Sequence, residues 1–212
     1  MTNYFPIHLN LDYKKAVIVG GGHVALQKVA SLLPTKAQIV VISPEVTEGL
    51  QPFITAQQIT WHKKAFEPSD LDDAILIIAA TNDTAVNEAV QEAAQHWQLV
   101  NRADQQSESD FIMPATVRRG PLVLTVSTSG ASPALARKIK AELAEQFDDV
   151  YDDYISFLQQ ARLMITAKFD KGAQRRAALQ ALLAPSLLEW TRNGEIEQRE
   201  AYLQQLLMGD TL

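Results

Sequence analysis

The sequence contains no cysteine, which excludes a disulfide framework, a thiolate nucleophile and any metal site held by cysteine thiolates. No apolar run approaches the roughly 20 residues needed to cross a bilayer. The N-terminus lacks the charged start and apolar core of a secretory signal. From these absences we expect a soluble, cytoplasmic protein that has no membrane partner.

Two further kinds of site are missing from the pattern. The four histidines lie far apart and have no second histidine or carboxylate at metal-ligand spacing; they are His8, His23, His62 and His96. A fixed zinc site is therefore not predicted, and we expect no resident metal. The chain also has no G-x-S-x-G segment, which excludes the nucleophile turn of a serine hydrolase.

Charge is unevenly distributed along the 212 residues, whose net charge is −6. Residues 1–113 hold 7 Lys or Arg against 13 Asp or Glu, whereas residues 114–141 hold five basic residues and no acid. Such a stretch is either a solvated face with helix-end charges or an attractor for an anionic ligand. The overall excess of acid and the lack of interleaved aromatic residues argue against a nucleic-acid partner.

The first hundred residues alternate between strand-like and helical patterns, which predicts a parallel sheet flanked by helices. Helices are expected from the glycine loop to Pro34, with Val24, Val29, Leu32 and Leu33 on one face, and over Asp83–Trp97. The segments predicted as strands are Tyr4–Leu9 (a short edge strand), Lys15–Val19, Gln38–Ile42, Ile59–His62, Ala74–Ala80 and Gln98–Asn101.

From Asp110 onwards the pattern changes. Two strand-like runs, Phe111–Val117 and Leu122–Ser127, are joined by a turn signal, and Ser132-Pro133 then opens a helix. Beyond residue 148 the spacing is helical throughout. We therefore predict an α/β protein in three parts: a Rossmann-like nucleotide-binding domain with a mostly parallel sheet over residues 1–113, a small α+β segment over 114–147, and a C-terminal helical domain over 148–212.

The strongest local signal is the run Gly20-Gly21-Gly22-His23-Val24-Ala25, which satisfies G-x-G-x-x-A between a predicted strand and a predicted helix. Gly20 would allow the tight turn, Gly22 would let a pyrophosphate approach, and Ala25 would keep the helix close to the sheet. Unpaired amides at the helix N-terminus would meet the phosphates. The alternative is a glycine-rich turn kept only for packing.

The acid that usually holds the ribose at the end of the second strand is missing, because Ile42 is followed by Ser43-Pro44-Glu45. Either Ser43 and backbone groups hold the ribose, or Glu45 bends back to it. No Arg or Lys lies there to favour a 2′-phosphate. NAD is therefore preferred over NADP as the cofactor.

Two further segments are expected at the same carboxyl edge of the sheet. Thr81 and Asn82 could line the dinucleotide with a hydroxyl and an amide group. Asp104 is the only acid close behind its strand, where a carboxylate could accept the proton of an oxidation that releases a hydride and a proton. The alternative for Asp104 is a turn residue that caps its own backbone. The cofactor-binding candidates are thus Gly20, Gly21, Gly22, His23, Val24, Ser43, Pro44, Thr81 and Asn82, with Asp104 as the catalytic candidate.

A run of small hydroxylated residues leads into the helix that Pro133 opens, with Arg137 one turn inside. Such a run forms either an anion-binding loop or an ordinary capping loop. With the basic side chains of the acid-free stretch, the anion-binding candidates are Arg118, Arg119, Ser127, Thr128, Ser129, Ser132 and Arg137.

Four segments together resemble precorrin-2 dehydrogenase, the N-terminal module of siroheme synthase. They are KAVIVGGGHVALQKVASLL, ILIIAATND, VNRAD and SDFIMPATVRRGPLVLTVSTSGASPALARKIK, and they cover about residues 1–147. The resemblance implies a homodimer that oxidises precorrin-2 to sirohydrochlorin with NAD as hydride acceptor, on the route to siroheme and in some organisms cobalamin. The dimer contact would follow the NAD domain.

The resemblance also implies residue roles. The functional aspartate of the family falls on Asp104 and its serine-rich loop on Ser127–Ser132, with Thr128 where the family has a serine. Precorrin-2 is a polycarboxylate, so we expect Arg118, Arg119 and Arg137 to hold its carboxylates. Two alternatives stay open: a bifunctional enzyme that also inserts ferrous iron into sirohydrochlorin, and a non-enzymatic regulatory module that senses NAD.

Overall fold

The computed structural model describes residues 4–209, and these form two compact units with the boundary between Met113 and Pro114. In the first unit, five parallel strands form one sheet in the order β3-β2-β1-β4-β5. The strands are β1 (Lys15–Val19), β2 (Gln38–Ile42), β3 (Thr60–His62), β4 (Ala74–Ala79) and β5 (Leu99–Arg102). The helices are α1 (His23–Leu32), α2 (Gln51–Thr55) and α3 (Thr84–Ala93).

Apolar residues cover both faces of this sheet, because successive side chains of a strand point to opposite sides. Ala16 and Ile18 of β1 belong to one apolar cluster with Val29 of α1, whereas Val17 and Val19 belong to a second cluster with Val90 of α3. This two-sided burial explains the continuous apolar runs of β1 and β4. The predicted α/β class with a mostly parallel sheet is confirmed.

The second unit begins with an antiparallel hairpin of β6 (Ala115–Arg119) and β7 (Leu122–Val126). The helix α4 (Pro133–Gln146) packs on both strands. Four helices complete the unit around a separate apolar cluster that contains Phe157, Ile165 and Leu203. They are α5 (Val150–Lys168), α6 (Ala173–Ala181), α7 (Pro185–Asn193) and α8 (Ile196–Met208).

Four details of the predicted elements are wrong. Residues 4–9 form no strand: they pair with no strand among the described residues, and Phe5 is 85% exposed. α3 ends at Ala93 rather than Trp97, and β6 begins at Ala115 rather than Phe111. Val24 is 43% exposed, so the buried face of α1 is formed by Ala25, Val29 and Leu32 instead.

Candidate functional site

A cleft of about 550 Å³ opens at the carboxyl ends of β1, β2 and β4. In an open parallel sheet, ligands bind at this edge. Of the cofactor-binding candidates, the cleft brings together all except Val24, which does not line it. The lining residues are Val19, Gly20, Gly21, Gly22, His23, Ile42, Ser43, Pro44, Glu45, Val46, Thr47, Ala65, Phe66, Ala80, Thr81, Asn82 and Val86.

The first two glycines of the loop are required by close packing of the protein itself. Gly20 has φ +123°, in the region that L side chains rarely adopt, and a Cβ there would collide with the carbonyl group of Ala80. A Cβ at Gly21 would collide with the carbonyl oxygen of Glu45. The backbone amide of Gly20 donates to the carbonyl of Ile42 at 2.9 Å. The loop therefore follows β1 closely between the ends of β2 and β4.

Gly22 differs from the other two glycines, because a Cβ built at this position meets no atom within 4 Å. Gly22 is also the N-cap of α1, and no side chain caps that helix end. By contrast, Asp83 caps α3 by accepting from the amides of Ala85 and Val86. Free amides beside open space at a helix N-terminus fit a diphosphate. These residues therefore suit a dinucleotide, whose phosphates would lie against Gly22 and His23.

The segment after β2 shapes the second wall of the cleft. The Ser43 hydroxyl donates to the carbonyl of Glu45 at 2.6 Å, and the indole Nε1 of Trp61 donates to the carbonyl of Ser43 at 2.9 Å. Glu45 is the only acid among the lining residues, which include no Lys or Arg. The ionisable side chains among these lining residues are therefore those of Glu45 and His23.

Behind Thr81 lies a buried residue that the sequence analysis missed. The Asn87 side chain is 1% exposed; its Oδ1 accepts from the Thr81 hydroxyl at 2.8 Å and its Nδ2 donates to the Thr81 carbonyl at 3.2 Å. Asn82 is exposed at the mouth of the cleft. The sequence could have indicated this residue, because Asn87 lies three positions before Val90 and therefore on the same buried face of α3.

Asp104 does not line the cleft; it lies just beyond the end of β5, where its carboxylate is held by Arg102. Nη2 of Arg102 donates to Oδ2 at 2.9 Å and Nε donates to Oδ1 at 3.3 Å. These hydrogen bonds lower the pKa of Asp104 from its ordinary value, and Asn87 adds to the effect. Asp104 is therefore an anion held in a fixed position, rather than a turn residue that only caps its own backbone.

In the second unit, the hydroxyls of the 127–132 loop largely organise the loop itself. The Ser132 hydroxyl caps α4 by accepting from the amide of Leu135 at 3.2 Å, and the Thr128 hydroxyl accepts from the amide of Ser132 at 3.0 Å. The Ser127 hydroxyl accepts from the amide of Ser129 at 3.0 Å. The loop is therefore at least a capping structure, and its oxygens can still donate to a ligand.

The three predicted arginines of this unit differ in their surroundings. Nη2 of Arg119 donates to the carbonyl of Ala144 at 3.2 Å, and Nε lies 3.1 Å from the exposed carboxylate of Asp149. Arg118 and Arg137 are exposed and make no ion pair within residues 4–209. An anionic ligand would have to displace Asp149 to pair with Arg119, whereas Arg118 and Arg137 have no such partner in the described part of the chain.

Within residues 4–209, no group of three His, Cys, Asp or Glu side chains is placed to hold a metal ion. None of the helices there is both long enough and apolar enough to cross a membrane.

Comparisons with known proteins agree with this architecture. A family model described as "Putative NAD(P)-binding" matches residues 7–115, and one described as "Sirohaem biosynthesis protein central" matches residues 119–146. Siroheme synthases from Nitrosospira multiformis and Nitrosococcus oceani are 33% and 35% identical over 99% and 97% of this chain. The chain spans only 45% and 44% of the length of these relatives.

A solved structure, SirC, precorrin-2 dehydrogenase, matches with a TM-score of 0.79 at 31% identity, covering 96% of this chain and 98% of its own. The sheet, the glycine loop and the uncapped α1 place the chain in the class of Rossmann-like proteins that bind a nicotinamide dinucleotide. Within that class, the chain belongs to the precorrin-2 dehydrogenase family, to which the N-terminal part of the siroheme synthases is related.

Proposed function

We propose that the chain is an NAD-dependent dehydrogenase that oxidises precorrin-2 to sirohydrochlorin in siroheme biosynthesis. The observation that carries the proposal is the match to a precorrin-2 dehydrogenase over nearly the full length of both chains. The cleft with free amides at α1 supports the cofactor part of the proposal. A regulatory module that only senses NAD would need the cleft but not an ordered acid at Asp104.

The choice of NAD over NADP rests on the charge of the cleft. Among the described residues that line it, Glu45 is the only acid, and none is Lys or Arg. A 2′-phosphate placed near Glu45 would meet a like charge and no compensating Lys or Arg. Ribose hydroxyls, in contrast, can donate to a carboxylate or to the backbone carbonyls of this segment.

For the reaction, the dinucleotide when bound supplies the hydride acceptor. The oxidation also releases a proton from the substrate, and we assign its acceptance to the Asp104 carboxylate. Because hydrogen bonds from Arg102 lower the pKa of Asp104, the protonated acid would not persist and would pass the proton on to water. The side chain is 26% exposed, which gives water access to it.

We further propose that Arg118 and Arg137 hold carboxylates of the substrate, with the 127–132 loop contributing hydroxyl donors. Both guanidinium groups are exposed in a stretch without acids, so they can form charge-assisted hydrogen bonds without first leaving another partner. We also infer a homodimer that forms through residues 114–147, since the apolar residues of β7 are only half-buried.

The test is an assay of NADH formation by the purified protein with precorrin-2 and either NAD or NADP. We expect NADH to form with a preference for NAD, and Asp104→Asn to slow turnover by roughly 100-fold while leaving the binding of NAD intact. Glu92→Gln, which removes an exposed acid from α3, serves as the control. No NADH from the wild-type protein would refute the proposed activity, and a fully active Asp104→Asn variant would refute the role of Asp104.

A further inference from the structure

Arg102 is an arginine placed where a parallel strand would ordinarily carry an apolar residue. It is the last residue of β5, and only 3% of it is exposed. A buried guanidinium is costly unless its donors are paired. The contacts of the Arg102 side chain therefore indicate its role.

The guanidinium is surrounded by acceptors from three elements. Besides the two bonds to Asp104, Nη1 donates to Glu108 at 2.6 Å and lies 3.5 Å from the amide oxygen of Gln91. Nη2 also lies 3.9 Å from Glu88. One cation thus holds three carboxylates that would otherwise repel one another.

The backbone of Arg102 is fixed as firmly as its side chain. Its amide donates to the Ser109 hydroxyl at 2.9 Å, and the following amide, of Ala103, donates to the carbonyl of Ala79 in β4 at 2.9 Å. Asp104 is therefore held in place in two ways: by the hydrogen-bonded backbone of the two residues that precede it, and by the guanidinium of Arg102. No other cation contacts Asp104 in the described part of the chain.

We propose that Arg102 is the positioning residue for Asp104: its Nε and Nη2 donate to the two carboxylate oxygens and hold the acid in one orientation at the carboxyl edge of the sheet. This proposal rests on the proposed function for its kinetic consequences, but not for the coupling between the two side chains. Glu88 and Glu108 supply further negative charge to the guanidinium: Glu108 accepts from Nη1, and Glu88 lies near Nη2.

Replacing Arg102 should have two separable effects. Arg102→Gln removes the charge and the two-point contact, so the pKa of Asp104 should rise and the carboxylate should lose its fixed orientation. We expect kcat to fall by roughly 10- to 100-fold, the scale seen when a reacting group is misplaced by about 1 Å. The KM for NAD should not change, because Arg102 does not line the cleft. Arg102→Lys keeps the positive charge but loses the planar guanidinium that contacts both carboxylate oxygens. Its kcat and the pKa of Asp104 should therefore lie between those of the wild type and Arg102→Gln.

The experiment combines a titration with kinetics on the full chain. NMR of 13C-labelled aspartate carboxyl groups, assigned with Asp104→Asn, follows the ionisation of Asp104 in the wild type, Arg102→Gln and Arg102→Lys. The pH dependence of kcat is measured on the same proteins. Arg199→Gln is the matched control, because Arg199 is also buried and paired, with Asp153, but belongs to the second unit.

The expected result is an upward movement of both the Asp104 titration and the acidic limb of kcat in Arg102→Gln, a smaller movement in Arg102→Lys, and none in Arg199→Gln. An Asp104 titration or a kcat that stays at its wild-type value in Arg102→Gln would overturn the proposal. If Arg102→Gln does not fold, Arg102→Lys decides on the same two measurements. A wild type that forms no NADH would refute the proposed function, whereas the titration would still decide whether Arg102 controls Asp104.

Discussion

The carbonyl oxygen of Gly21 accepts a hydrogen bond of 2.7 Å from the backbone amide of Thr47, which ties the glycine loop to the segment after β2. A Cβ at Gly21 would also collide with the carbonyl of Glu45 in that segment. The glycine loop is therefore packed against protein backbone at Gly21 and borders open space at Gly22. Gly20 and Gly21 are therefore required by packing, whereas packing does not require Gly22.

Gly22→Ala should weaken the binding of NAD by about 10-fold or more while leaving the fold intact. A methyl group at Gly22 meets no protein atom within 4 Å but occupies the space where a diphosphate must approach the helix. The free energy of unfolding should change by less than about 1 kcal/mol, the scale of an N-cap substitution. Isothermal titration calorimetry and urea denaturation measure the two quantities.

Gly20→Ala is the matched variant with the opposite expectation. The positive φ of Gly20 alone costs about 1–3 kcal/mol for an L residue, and the collision with Ala80 adds to it. We therefore expect Gly20→Ala to be too unstable for its NAD binding to be measured. Equal NAD affinity in Gly22→Ala and the wild type would contradict the placement of the diphosphate.

Glu45→Gln should reduce the preference for NAD over NADP. The substitution removes the only acid that lines the cleft and so removes the repulsion of a 2′-phosphate. We expect the affinity for NADP to rise by roughly 3- to 10-fold, about 1 kcal/mol, with a smaller change for NAD. Glu48→Gln, three residues along and outside the lining, is the control. An unchanged ratio of the two affinities would show that Glu45 does not face the ribose.

Arg118→Ala and Arg137→Ala should each raise the KM for precorrin-2 by about 10-fold, the equivalent of one charge-assisted hydrogen bond. Arg119→Ala should instead lower the free energy of unfolding by about 1 kcal/mol and leave the KM unchanged, because Arg119 is paired with Asp149. Steady-state kinetics and denaturation on the three variants separate these outcomes. A KM effect confined to Arg119→Ala would reverse the assignment.

The ion pair of Asp104 should make stability depend on pH in one direction. Hydrogen bonds from Arg102 lower the pKa of Asp104 in the folded protein below its ordinary value of 3.8. The resulting stabilisation is present above that value and is lost as the pH falls through the folded pKa. Wild type should thus be more stable than Asp104→Asn at pH 7, and the difference should shrink near pH 3. Urea denaturation at both pH values measures it, and a constant difference would argue against the pair.

The main elements of the fold could be predicted because local patterns and tertiary structure agree there. β1 and β4 are apolar on both faces, so their sequences show uninterrupted runs. Residues 4–9 show what local pattern cannot supply: Phe5, Ile7 and Leu9 alternate as in a strand, but all three are exposed and no neighbouring strand pairs with them. Alternation predicts a strand only where a partner edge exists.

The cleft was also largely predictable, since a glycine loop after a strand specifies both its place and its ligand class. The pairing of Arg102 with Asp104 was not. This pairing depends on the burial of the Arg102 side chain at the end of β5. It also depends on contacts of the guanidinium with Glu108 and Gln91, which belong to other elements. Sequence spacing gives no access to such contacts. The contacts of Arg119 with Ala144 and Asp149 could not be predicted for the same reason, because these partners lie about 25 to 30 residues away.

The hydrogen bond from Trp61 to the carbonyl of Ser43 gives this protein an optical reporter of its own. The indole is packed against the apolar layer beneath β2 and bonded to a residue of the cleft wall. A ligand that moves or stiffens that wall will change the emission of Trp61, one of only three tryptophans in the chain. Ligand binding to the first unit can therefore be followed by intrinsic tryptophan fluorescence, without an attached dye.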